Sequence, residues 1–109
     1  MNELKTFENE RFGNVRVTMI DNEPWFVAAD VCKALEIEPT ATRRLDDDEK
    51  NTLRLTQGTS GNPNVTVVNE SGLYSLVLGS RKPEAKVFKR WLTHDVIPTI
   101  RPTARHSIQ

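Results

Sequence analysis

GSRKPEAKVFKRWLTHDVIPTIR, residues 79–101, is the stretch whose reading decides the fold. Phe88, Trp91, Leu92, Val96 and Ile100 follow one another at spacings of three, four, four and four, which on an α-helix makes one apolar stripe. Lys82, Lys86, Lys89 and Arg90 fall away from that stripe. Pro83 suits the first helical position and Glu84 the first turn, where the positive end of the helix dipole lies. Pro98 predicts a kink or an end nearby, and residues 102–109 read as a flexible tail. The segment is therefore an amphipathic helix, its aromatic side directed to a core and its cations to water.

The core it needs lies upstream. Val15-Arg16-Val17-Thr18-Met19-Ile20 alternates with period two, Asp21-Asn22-Glu23-Pro24 has turn chemistry, and Trp25-Phe26-Val27 resumes as a strand. These predict an N-terminal β-hairpin, with an edge strand near Phe7 to Phe12. A helix follows over Ala29 to Ile37, with Val31, Ala34 and Leu35 on one face, Asp30 in its first turn and Pro39 as its stop. A shorter helix is expected over Thr40 to Leu45, capped by Thr40. Asp46 to Lys50 is an acidic turn or helix start, Thr52 to Leu55 a strand, residues 57–63 a loop, and Val65 to Val68 a strand. Asn69 or Ser71 caps a helix over 72–78 that Gly79 closes. Two β segments interleaved with helices give an α+β domain: a small antiparallel sheet packed against several α-helices. The domain is expected to span residues 1–101.

With 109 residues, 37% hydrophobic and 28% charged, the chain has the composition of one globular domain. No apolar run approaches the ~20 residues of a membrane span, and MNELKTFENERFG has no apolar signal segment, so the cytoplasm is the expected location. Cys32, the one cysteine, forms no internal disulfide and suits a reducing compartment. The formal net charge is zero, yet it is segregated. Residues 1–80 hold 8 Lys/Arg against 13 Asp/Glu, a net of −5, and residues 81–109 hold 7 against 2, a net of +5. Such a chain can present a basic face without attracting polyanions everywhere.

Catalytic chemistry has little support. Cys32 falls on the inner side of its helix, where a free cysteine behaves as a small hydrophobe, and His94 and His106 offer it no base. There is no zinc-type or EF-hand spacing, and no glycine-rich nucleotide motif, so no metal and no cofactor is expected. Binding remains, in two forms. Residues 29–45 could be a helix–turn–helix in which Arg43 and Arg44 reach base edges, although Asp46, Asp47 and Asp48 beside them would repel phosphate. Alternatively Arg81, Lys82, Lys86, Lys89 and Arg90, with Arg101, could clamp a phosphate backbone. Lysines snorkelling around Trp91 would give the same pattern without any ligand.

Several stretches in order, FVAADVCKALEI, RRLDDDEKNTL and VTVVNESGLYSLVLGSRKPEAKVFKRWLTHDVIPTIR, resemble the Bro-N domain, the amino-terminal module of phage antirepressors and of Bro proteins of large DNA viruses. The resemblance runs from Phe7 to Arg101, although loop 57–63 departs from the glycine–glutamine turn expected there. It implies an α+β domain associated with DNA binding, a separate carboxy-terminal domain following it in antirepressors, and no catalytic residues. The expected function is that of a non-enzymatic phage or prophage regulator, binding DNA through the basic face. The alternative is a protein-interaction domain that inactivates a phage repressor by direct contact without DNA. Self-association into a homo-oligomer is compatible with either.

Overall fold

The computed structural model describes residues 4–54 and 64–100. Three antiparallel strands open it, β1 (Lys5–Asn9), β2 (Gly13–Ile20) and β3 (Glu23–Val27). Their reversals are made by residues suited to them. Asn9 Oδ1 accepts from the N–H groups of Arg11 (2.7 Å) and Phe12 (3.1 Å). Asp21 and Asn22 adopt φ of 52° and 65°, the left-handed pair of a two-residue hairpin whose twist matches its strands. The expected edge strand is β1, but Phe12 lies outside it, in the turn, and packs on Phe88.

Helix α1 (Ala28–Leu35) buries Val31, Cys32, Ala34 and Leu35. It ends before the predicted proline stop. Glu36 turns left-handed at φ 57°, and the Ile37 N–H reaches back to the Cys32 carbonyl at 3.0 Å, closing the helix end. Pro39 begins the next element instead of stopping this one. The predicted short helix is a 3-10 helix, Pro39–Arg44, preceded by Glu38, and Thr40 does not cap it. At the other end of α1, Asp30 does more than face the dipole. Its carboxylate accepts from the Arg16 backbone N–H (2.9 Å), Nε (2.8 Å) and Nη2 (3.1 Å), pinning the helix start to β2. That hydrogen bonding raises the Arg16 pKa and keeps the guanidinium charged.

A 3-10 turn, Asp47–Glu49, closed by a reciprocal Asp46–Glu49 capping box, leads into β4 (Lys50–Arg54) and β5 (Asn64–Val68). Leu55 and the predicted loop 57–63 lie outside the described residues. Strand β5 inserts between β3 and β4, giving an antiparallel order β1-β2-β3-β5-β4. Asn69 caps α2 (Glu70–Gly79) as expected, its Oδ1 accepting from the Gly72 N–H at 2.9 Å. Gly79 does not close that helix. It is still helical, and Ser80 takes the end, its N–H bonded to the Val77 carbonyl.

The opening stretch forms α3 (Ala85–Trp91), a π-helical turn (Leu92–Val96) and α4 (Ile97–Ile100), with helical dihedrals at both junctions. The π turn explains how the stripe stays in line. Each four-residue step on an α-helix overshoots a full turn by about 40°, so the series 88, 92, 96, 100 would curl around the helix. One wider turn, with the Ile97 N–H bonded to the Leu92 carbonyl five residues back, absorbs part of that drift. It also accommodates Pro98, which has no N–H to give to an α-type ladder. The helix widens before this proline and continues past it.

Strand alternation sends Val15, Val17, Phe26 and Val68 to the face covered by the helices, where they meet Leu35, Leu73, Phe88, Leu92 and Val96. Full burial of each large side chain is worth about 1.5–3 kcal/mol. On the other face Trp25, Val27, Leu53 and Val67 form a smaller apolar cluster. The described residues form an α+β fold of five antiparallel strands and four α-helices, the class that the sequence predicts. The predicted boundary at 101 and the tail 102–109 lie outside the described residues.

Candidate nucleic-acid interface

Helix α3 is held by its apolar side. Phe88 is fully buried, edge-on to Phe12 at 5.0 Å between ring centroids, and Trp91, partly buried, stacks on Phe12 at 6.4 Å. With that side fixed, the other must face water. Lys86, Lys89, Arg90, Thr93 and His94, at positions i, i+3, i+4, i+7 and i+8, share one helix face and line a hollow of about 370 Å³ whose opposite wall is Val77 and Leu78 of α2. Lys86, Lys89 and Arg90 are exposed. No acidic residue is among the described residues that line this hollow. Lys89 Nζ lies 5.1 Å from the centroid of the Tyr74 ring, which anchors its stem while the charge stays in solvent.

A second, larger hollow of about 810 Å³ lies on the far side of the α2 C-terminus. It is built by three chain segments: the end of α1, the 3-10 helix Pro39–Arg44, and the turn after α2. The Ser80 hydroxyl donates to the Leu35 carbonyl at 3.3 Å and accepts from the Lys82 N–H at 3.1 Å, fastening that turn to α1. Arg43, Arg44, Arg81 and Lys82 all line the hollow, so sequence positions some forty residues apart converge on it. Its wall also holds Glu36 and Glu38, and Glu36 pairs with Lys82 Nζ. The four cations are thus offset by two carboxylates, and Lys82, with its side chain only 20% exposed, is largely committed to an internal pair.

The predicted site residues accordingly divide into two groups. The structure brings Arg43 and Arg44 together with Arg81 and Lys82, and sets Lys86, Lys89 and Arg90 in a separate, more electropositive hollow. Arg101 lies outside the described residues. As a helix–turn–helix, residues 29–45 depart from the pattern. The second element is one short 3-10 helix, too short to lie along a major groove, and its arginines sit in its last turn. Sequence reasoning passed over Thr93 and His94, although their spacing from Lys86 could have found them. It also passed over Leu78, which lines the same hollow as Lys86, Lys89 and Arg90 and is 86% exposed. Burial pushes the Cys32 thiol pKa up, and no cluster of metal-ligating residues occurs among the described residues. No helix among them is long and apolar enough to cross a membrane.

A family model described as the BRO family, N-terminal domain (Bro-N), matches residues 14–98. An uncharacterised protein of Haemophilus influenzae is 38% identical over 90 residues, covering 80% of this chain and 44% of the relative. A Bro-N domain-containing protein of Invertebrate iridescent virus 6 is 27% identical over 124 residues, covering 95% of this chain and 30% of the relative. The chain therefore spans less than half the length of these relatives. No solved structure matches it.

Proposed function

Because this chain belongs to the BRO family, as an N-terminal Bro-N domain, we propose that it is a non-enzymatic regulatory module of phage or prophage origin that binds DNA through the phosphate backbone. The family is associated with regulatory and DNA-binding proteins, which supports the class of function. The observation that carries the reading is the face of α3, where Lys86, Lys89 and Arg90 stand exposed over one hollow with no carboxylate among its described lining residues. Each phosphate such a cation neutralises releases a counterion, so affinity falls steeply with salt. Arg81, Arg43 and Arg44 extend the basic surface across the α2 end. Antirepression, a host-cytoplasmic location and homo-oligomer formation belong to the same proposal.

A mobility shift on an end-labelled duplex at about 50 and about 200 mM salt tests it. The wild type should shift at low salt and lose affinity sharply at high salt. Lys89→Glu with Arg90→Glu should keep the thermal melt and lose at least about tenfold in affinity at the lower salt. A double variant that binds like the wild type overturns the assignment of this face. Absence of a shift at any salt overturns DNA binding, and would favour the alternative of direct contact with a repressor protein.

A further inference from the structure

Leu78, on the last turn of α2, is 86% exposed, while its helix neighbours Leu76 and Val77 are buried. Leaving a leucine in water gains nothing for this fold. Cations outnumber carboxylates in both nearby hollows, although Glu36 and Glu38 stand among the cations of the larger one. Leu78 lines the hollow of Lys86, Lys89 and Arg90, and the adjacent Gly79 lines the hollow of Arg43, Arg44 and Arg81. An Arg44 guanidinium nitrogen comes within 4.0 Å of where a Gly79 Cβ would stand. One exposed apolar side chain thus stands on the wall of one basic hollow, next in sequence to a residue that lines the other.

That arrangement matches the cross-section of a minor groove, a narrow slot walled by the phosphates of two strands and floored by base edges. Apolar wedges, leucine among them, enter such grooves, part a base step and kink the duplex. We propose that Leu78 is a wedge of this kind, set between backbone contacts made from the two hollows; the inference rests on the DNA reading above. A groove for an amphipathic protein helix would need several apolar anchors at helical spacing. Among the described residues two large hydrophobics are exposed, Leu78 and Val87, and of the two only Leu78 lines a hollow; the hollows themselves carry charge.

A wedge makes affinity depend on how easily the duplex deforms, without any base-specific bond. Pyrimidine–purine steps such as TA unstack readily, whereas A-tracts are stiff. The test uses two labelled duplexes of ~30 bp, one with a central TA step and one with an A-tract, plus donor and acceptor dyes at the ends to read bending. The wild type should bend the TA duplex and prefer it by at least about fivefold. Leu78→Ala should erase both the bend and the preference, while retaining salt-sensitive binding and an unchanged melt. Wild-type binding without bending, or Leu78→Ala bending as the wild type does, overturns the wedge and leaves backbone binding standing. Failure of the wild type to bind either duplex overturns both proposals.

Discussion

Trp25 lies in the smaller apolar cluster with its indole Nε1 buried and without an acceptor among the described residues. A buried donor with no partner forfeits its hydration for nothing, at about 1–3 kcal/mol. Trp25→Phe removes that donor and part of the apolar area together, so urea denaturation should show a change below about 1 kcal/mol in either direction. A loss several times larger would mean that the indole N–H is satisfied after all. The buried character of Cys32 was legible, because its place beside Val31 in a short apolar helix leaves few alternatives. The face that Trp25 occupies was not. Alternation separates Trp25 and Val27 from Phe26, but only the positions of α2 and α3 decide which side is the main core.

Asn69 shows the same division within an element. Its identity and its place before an apolar run announced the cap of α2. The second bond, from Asn69 Nδ2 to the Asp48 carbonyl at 3.0 Å, joins segments twenty-one residues apart and leaves no local trace. Close by, a side chain on Gly72 would come within 2.8 Å of the Glu49 carbonyl oxygen, so the start of α2 presses directly on the turn before β4. The Ser71 hydroxyl donates to Glu49 at 2.6 Å across the same contact and, with the Asp46 N–H, holds that carboxyl below its ordinary pKa. Asn69→Ala removes both side-chain bonds and should cost about 1–2 kcal/mol in a thermal or urea melt. Asn69→Asp, which keeps the acceptor for Gly72 and loses the donor, should fall between. The π turn was half legible. A run of four-residue spacings followed by a proline signals that the α-helical pitch cannot be kept, yet not whether the chain will kink, stop or widen.

Across the whole molecule, the segregation of charge read from the sequence corresponds to a face, but a divided one. The cations of α3 were legible as a set because one helix carries them. Their separation from Arg81, and the meeting of Arg81 with Arg43 and Arg44, depend on how the 3-10 helix and the turn after α2 pack against α1, which no local pattern encodes. The sheet is likewise assembled from two local pieces, β1-β2-β3 and β4-β5. Among the described residues they are joined by the strand pairs Phe26 with Val68 and Val27 with Val67. Bringing those ends together closes a long loop, whose entropy must be lost before any contact across the seam compensates for it. Val68→Ala should therefore slow refolding, whereas Val96→Ala, in the π turn after α3, should mainly speed unfolding. Chevron plots that reverse this order would place the nucleus elsewhere. During synthesis the same insertion of β5 imposes a wait. Until Val68 has left the ribosome, the three-stranded meander keeps an open hydrogen-bonding edge on β3, and nascent chains are most exposed to mispairing in that interval.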